Sequence, residues 1–502
     1  MCRAFVLQAL VLVAACGGGA DGSAPPTTPP TSQTPPTETP PTTTPPAPTP
    51  KPPLAFVSGA GASDTIDAAA KIRLTVRVLD DSGAPRRNEI VLLRVRAAPL
   101  GSPTGSVITG TLDDLAVTTD TLGLGSTNLQ FGVVAGTSYV LAFDSHGHTD
   151  SAAFTVRPGA PARIRLAPRD TALFVGGRYG LGGALGDRHG NPVTATLRYA
   201  ADSATGVASV TSAGTVTGNA VGRSRFLVGV SGGPILDTAR VTVVPPGKLV
   251  VVADEGLSIL NMDGSSFRTL VPGGAYQFLF PSWSPDGTAV VYNSADITRG
   301  VLYRVDLQGR ITTLSGNAAM SSETWPRYSA DGQYIYFSGG YYPDSIDTYR
   351  MRSDGTGPRV RVTPFRPYSD RYWKASPSPD GTLLAYSEAG FALHVVSLVD
   401  GIDRTLPVPT WAEAPRFDPS GDWIAYANEY SHSIELIRTD GTGHRVLTPS
   451  WESADDWGHD WSPDGAWIIY SRSSGLSIVR VADGLILPLP FGHYLYAASW
   501  HQ

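Results

Sequence analysis

From residue 54 onward, apolar and polar positions alternate in short runs of period two, broken at close intervals by Gly, Pro, Asp and Ser. Period two places successive side chains on opposite faces of a strand, so the pattern predicts an all-β chain. Residues 72–98, "IRLTVRVLDDSGAPRRNEIVLLRVRAA", read as two strands around an Asp-Ser-Gly turn, and "SYVLAF" and "SAAFTVRP" as later strands. Strands so spaced predict a β-sandwich over residues 54–158, and a second such unit spans 159–246.

Beyond residue 247 the pattern becomes periodic. "SWSPDGTAVVYNS" (282–294) returns as "RYSADGQYIYFSG" (327–339), "SPSPDGTLLAYSE" (376–388), "RFDPSGDWIAYAN" (416–428) and "DWSPDGAWIIYSR" (460–472). Its glycines, Gly287, Gly332, Gly381, Gly421 and Gly465, stand 45, 49, 40 and 44 residues apart. Between them runs a second Asp-Gly-type motif, with glycines at Gly264, Gly309, Gly355, Gly401, Gly441 and Gly484. A period of this length built of short strands predicts a β-propeller, one four-stranded sheet per repeat.

The Ser-Pro-Asp-Gly element reads as a turn: Pro presets φ, Asp bonds its own backbone and Gly accepts positive φ. Pro377 replaces the aromatic of the repeat and Ser420 its Asp, lapses that a catalytic set would not tolerate. Six second motifs accompany five complete first motifs. The missing strand is expected at the C-terminus, where Ala498-Ser499-Trp500 overlays Pro281-Ser282-Trp283, so the tail would close a ring of six blades over 247–502.

Three resemblances add to this. The "W-S-P-D-G-x-x-I-x-Y" and "D-G-x-x-x-x-L-T" alternation resembles the TolB-type six-bladed propeller family, which implies a fold that hosts many activities. In that family an α/β domain precedes the propeller; here it is replaced by β-sandwich units, which removes the basis for a Tol-system role. Thr119-Asp120-Thr121-Leu122-Gly123, in its strand context, resembles bacterial Ig-like domains of the invasin type. Val207, Ala208, Val210, Gly214, Val216 and Gly218 match the group-2 bacterial Ig-like pattern. Both imply spacer or adhesive modules.

The two cysteines, Cys2 and Cys16, lie in the first sixteen residues, so no disulfide is expected in the folded part. "MCRAFVLQALVLVAAC" has the layout of a secretory signal (1–16), and Val13-Ala14-Ala15-Cys16 resembles the lipobox of bacterial lipoproteins. That resemblance implies acylation of Cys16 and attachment to a lipid membrane, and Gly17 after it implies the outer membrane. Within 17–53, residues 24–53 hold fourteen prolines and ten threonines. Such a segment favours an extended polyproline II tether of roughly 3.1 Å per residue. A net charge of -6 without a basic stripe excludes nucleic acid as an expected partner.

Candidate chemistry falls into three groups. Half of the ten tryptophans, Trp325, Trp373, Trp411, Trp451 and Trp457, fall in segments expected to be loops entering the innermost strands. With Arg366, Tyr368, Arg371 and Tyr372 they read either as a recognition face for an envelope protein or glycan, or as caps folded onto the blades. Ser282, Arg327, Ser376, Arg416, Asp460 and Ser499, each one residue before the inner aromatic position, are expected to line the channel. The segment "WESADDWGHD" gathers Asp455, Asp456, His459 and Asp460, which could hold calcium or form a solvated acidic loop. No cofactor is otherwise expected.

Gly229-Val230-Ser231-Gly232-Gly233 fits the serine-hydrolase pattern but sits between β segments, where a hairpin turn is the better reading. The expectation is a monomeric, lipid-anchored envelope binding or scaffold protein rather than an enzyme. A propeller hydrolase or lyase using Arg327, His459 and Asp460 is the alternative.

Overall fold

The computed structural model describes residues 51–66, 68–97, 110–202, 205–273, 278–294, 300–315, 320, 322–341, 345–363, 373–388, 392–408, 411–450, 458–472, 475–491 and 495–502. Pro53–Gln502 form one compact unit. Every regular element among the described residues is a strand.

The first part folds as two sheets, one of four strands and one of five, sharing a core of Leu74, Val76, Val78, Val91, Val140 and Phe154. Strand Ile72–Val78 shows why: its even-numbered positions Leu74, Val76 and Val78 are buried, while Arg73, Thr75 and Arg77 are not. Residues 163–244 form three further sheets around Val216, Phe226, Val228, Ala239 and Val241. Ala172, Phe174 and Val221 of this part pack against Val244 and a cluster containing Leu249, Trp467 and Trp500, so its end covers a seam of the propeller.

The remainder is a ring of six four-stranded antiparallel sheets. The first blade contains Lys248–Ala253, Gly256–Asn261 and Arg268–Pro272, and its innermost strand is Leu495–His501 from the end of the chain. Leu249 pairs with Trp500 and Val250 with Ser499, which is the closure expected from the strand count. The inner strands of the other blades, in order, are Phe278–Trp283, Ser322–Tyr328, Trp373–Pro377, Ala412–Phe417 and His459–Trp461. They touch one another in sequence around the ring, with Leu495–His501 between the sixth and the second. Second strands such as Ala289–Ser294 are buried along nearly their whole length because a blade lies on either face.

The repeated turns carry one hydrogen-bond pattern. In the second blade Ser284 Oγ donates to Asp286 Oδ1 at 2.6 Å, Ala289 N donates to Ser284 Oγ at 2.9 Å, and Gly287 takes φ +66°. Ser329 with Asp331, Ser378 with Asp380 and Ser462 with Asp464 repeat it. These serine hydroxyls, aided by backbone amides, hold the carboxyls of Asp286, Asp331 and Asp380 below the usual carboxylate range.

The fifth blade corrects the sequence reading. Ser420 is not a lapse, because Asp418 occupies the serine position: Ser420 Oγ donates to Asp418 Oδ2 at 2.6 Å, and Trp423 N donates to Asp418 Oδ1 at 2.9 Å. Donor and acceptor have exchanged places, and the Asp of the repeat is structural.

Candidate functional site

The six channel positions come together in one place. Ser282, Arg327, Ser376, Arg416, Asp460 and Ser499 all line one cavity of about 490 Å³ at the mouth of the channel, on the face that carries the Ser-Pro-Asp-Gly turns. Its rim is formed by Pro285, Ala330, Pro379, Pro419 and Pro463, with Gln502 at the first blade. The inner aromatics Trp283, Tyr328, Phe417, Trp461 and Trp500 are each at most 9% exposed and fill the spaces between blades.

The inner strands of the second to fifth blades are each interrupted by a bulge just before the channel residue. Phe280, Trp325, Lys374 and Ala414 have φ of +51°, +51°, +55° and +50°, and Gly458 +112°. Each stands two residues before a channel residue, and in the second to fifth blades the strand register slips there. A side-chain-bearing residue in the left-handed region costs about 1–2 kcal/mol, so four in register mark a conformation the ring imposes. Periodicity does not reveal the bulge. Its sequence trace is proline inside the inner strand, at Pro281, Pro326 and Pro415, where a ladder donor is not needed.

The cavity has a charged floor. Arg327 Nη1 lies 3.2 Å from each oxygen of Asp460. These residues belong to the third and sixth blades, opposite one another in a ring of six, so the ion pair spans the channel and bars it. Asp460 also accepts from Ser499 Oγ at 2.8 Å and from the backbone amides of Trp461 and Trp500 at 3.2 Å. Burial opposes its charge, but the guanidiniums of Arg327 and Arg416 and the Ser499 hydroxyl outweigh burial and hold its carboxyl below the usual range.

Arg416 is 7% exposed. Its Nη1 donates to the carbonyls of Pro415 at 2.8 Å and Lys374 at 3.3 Å. Burial, and then the neighbouring Arg327 cation, disfavour its charged form, with Asp460 acting the other way. Behind the floor a remnant of about 20 Å³ is left among Phe280, Trp325, His459 and Ala498. Among the described residues the channel is a cup, open on the side of the Ser-Pro-Asp-Gly turns and barred by the Arg327–Asp460 pair.

His459 belongs to this closed side. It is 2% exposed, its Nε2 donates to the Ala425 carbonyl at 3.3 Å, and burial followed by Arg416 lowers its pKa to about 3. A buried ion pair that the sequence reading missed, Lys374 with Glu413, links the fourth and fifth blades nearby. Its signal was available: two opposite charges on adjacent inner strands, with Glu413 next to Ala414, the counterpart of Lys374.

Trp325 lies within strand Ser322–Tyr328 rather than in a loop. It is 7% exposed with its ring 5.2 Å from Phe280, part of the channel wall. Trp411, 43% exposed, does lie at the surface and borders an open groove with Glu429, Tyr430 and His432. Cys16, Arg366, Tyr368, Arg371, Tyr372, Trp451, Asp455, Asp456 and Trp457, and the side chain of Trp373, lie outside the described residues. Among the described residues no cluster of three His, Cys, Asp or Glu side chains could hold a metal ion. Ser231 lies in the hairpin turn between Gly222–Val230 and Ile235–Val244, away from any sheet-to-helix elbow.

Fold and site define a six-bladed β-propeller with a blind, charged channel. No family model matches the chain. An uncharacterized protein of Agrobacterium fabrum is 26% identical over 204 residues, 38% of this chain, and the chain spans 65% of that relative's length. Among solved structures, TolB from Acinetobacter baumannii is similar, with a TM-score of 0.44 and 17% identity, over 61% of this chain and 82% of that one. A putative TolB from Agrobacterium tumefaciens has a TM-score of 0.40 and 18% identity, over 51% of this chain and 98% of its own. An oligogalacturonate lyase in complex with manganese has a TM-score of 0.31 and 16% identity, over 42% and 65%.

Proposed function

We propose that this chain is a lipid-anchored binding and scaffold protein of the bacterial cell envelope. In this reading acylated Cys16 holds it to the outer membrane, the Pro/Thr tether and two Ig-like modules act as spacers, and the propeller cup receives a protruding segment of a partner protein. The observation that carries the reading is the cup itself: a cavity of about 490 Å³, open at one end and barred at the other by the Arg327–Asp460 pair. A blind cup with a rigid proline rim suits holding a ligand better than passing one through.

The hydrolase or lyase alternative is weakened by the state of its candidate residues. Both oxygens of Asp460 are engaged by donors, and His459 is buried and neutral, so neither is poised to exchange protons with a substrate. A glycan partner has one observation in its favour, the exposed Trp411 and Tyr430, the latter 76% exposed, beside Glu429 and His432.

Ala330 is an exposed rim residue, so Ala330→Trp should obstruct the mouth without disturbing the ring. The expected result is that wild type captures an envelope protein, that the purified protein rebinds, and that Ala330→Trp weakens rebinding by about tenfold or more. Capture that survives Ala330→Trp and is lost on Trp411→Ala would replace the cup with the aromatic groove as the binding site.

A further inference from the structure

The groove beside Trp411 lies on the opposite side of the ring from the cup. Trp411 immediately precedes inner strand Ala412–Phe417, whose far end reaches the cup at Phe417 and Asp418. Residues 429–432 form the turn between Trp423–Asn428 and Ser433–Arg438, and Ala412 pairs with Asn428, so this turn stands beside Trp411 at the same end of the blade. Trp411, Glu429, Tyr430, Ser431, His432 and Ser450 line an open groove of about 510 Å³.

Hydrogen bonds fix this arrangement from beneath. Glu429 N donates to the Trp411 carbonyl at 2.9 Å. The amides of Tyr430 and Ser431 donate to Asn428 Oδ1 at 3.0 and 3.1 Å, and Asn428 Nδ2 donates to the buried Glu435 at 2.9 Å. Trp411 and His432 take φ of +81° and +50°, in the left-handed region that disfavours residues with a side chain. Burial does not explain that conformation, because Trp411 stays 43% exposed and Tyr430 76%. Aromatic side chains presented on a fixed frame lose little freedom when a ligand covers them.

We propose that this groove is a glycan site that takes a neutral chain of pyranose sugars, independently of the cup. The rings of Trp411 and Tyr430 offer flat apolar faces for the C–H face of a sugar ring. Glu429, His432 and the hydroxyls of Ser431 and Ser450 supply the donors and acceptors that sugar hydroxyls need. The volume falls within the range of small-molecule sites. Among the described residues no Lys or Arg lines the groove, and the Glu429 carboxylate repels an anion, which favours neutral sugars over acidic ones.

The test titrates the full chain by calorimetry with cellotriose, chitotriose, trigalacturonate and choline. At least one of the two neutral trisaccharides should bind at millimolar concentration, and trigalacturonate about tenfold more weakly. Trp411→Ala should weaken the neutral sugar by about tenfold or more, Trp411→Phe should retain part of the affinity, and Glu429→Gln should narrow the gap between neutral and acidic sugars. Should Trp411→Ala fail to fold, Tyr430→Ala at the exposed turn takes its place. Ala330→Trp, on the opposite face, should leave sugar binding unchanged.

No binding of either neutral trisaccharide at millimolar concentration, tighter binding of trigalacturonate, or binding indifferent to both Trp411→Ala and Tyr430→Ala overturns the proposal. Binding of choline alone overturns it too and makes the groove a cation site. None of these outcomes bears on the cup, whose role is decided by partner capture with Ala330→Trp.

Discussion

Replacing Asp460 by asparagine preserves the shape of the channel floor and removes its one negative charge. The side chains of Arg327 and Asp460 are 15% and 13% exposed, so the pair lies well inside the range where breaking one partner strands the other. A surface ion pair contributes about 0–1 kcal/mol, whereas removing one partner of a buried pair costs about 3–5 kcal/mol. The open side of the cup admits water to the floor, which places the expected loss near the lower end, about 3 kcal/mol. For a unit the size of the propeller that corresponds to a Tm lower by roughly 6–12 °C.

Urea unfolding of Asp460→Asn, Arg327→Met and the double variant, followed by tryptophan fluorescence, completes a double-mutant cycle. The double variant should recover part of the loss, because the stranded Arg327 cation is gone. The sign with pH follows from the direction of the shift. The folded carboxyl lies below its unfolded value, so its contribution is complete above about pH 4 and fades as pH falls further, and Asp460→Asn should flatten that acid limb. A single variant within about 0.5 kcal/mol of wild type, with no coupling to Arg327, would mean the pair is solvent-screened and the charged floor contributes nothing.

Two further outcomes are expected. His459 is held neutral with a pKa of about 3, below its unfolded value, so the unfolded chain binds more protons between those limits and stability falls on acidification below about pH 6.5. At pH 5 this amounts to about 2 kcal/mol, and urea melts of His459→Gln at pH 7 and pH 5 should differ by about that much less than wild type does, parallel curves counting against the assignment. Trp500, 6% exposed in the seam cluster, should cost about 3–5 kcal/mol on Trp500→Ala, and unchanged thermal melting of that variant would mean the closing strand is dispensable.

The fold was legible where local chemistry repeats. The Ser-Pro-Asp-Gly turns marked five of the six blades because each residue type has a backbone reason to be there. The extra strand motif at Ala498-Ser499-Trp500 announced the closure, and period two then placed Ser282, Arg327, Ser376, Arg416, Asp460 and Ser499 on one side.

What the sequence concealed depends on backbone angles and three-dimensional pairing. The left-handed residues Phe280, Trp325, Lys374 and Ala414 have no common side chain, since the ring rather than the residue imposes the conformation. Trp325 was read as a loop residue because the bulge breaks the alternation that would have extended its strand. The exchange of Asp418 and Ser420 looked like decay because a hydrogen bond can be reversed without moving the backbone. That Arg327 would reach Asp460, more than a hundred residues away, follows only once the ring is closed.

That closure has a consequence for biogenesis. Strand Lys248–Ala253 is among the first parts of the propeller to leave the ribosome, yet its neighbour on one side, Leu495–His501, is among the last. Until then the first blade presents an unpaired strand to its surroundings, and long-range pairing of this kind is slow and open to misassociation. Because this latch lies more than two hundred residues further along the chain than the strand it pairs with, the ring closes only after all the other blades have been made, and a cut or pause anywhere between the two strands leaves the first blade open.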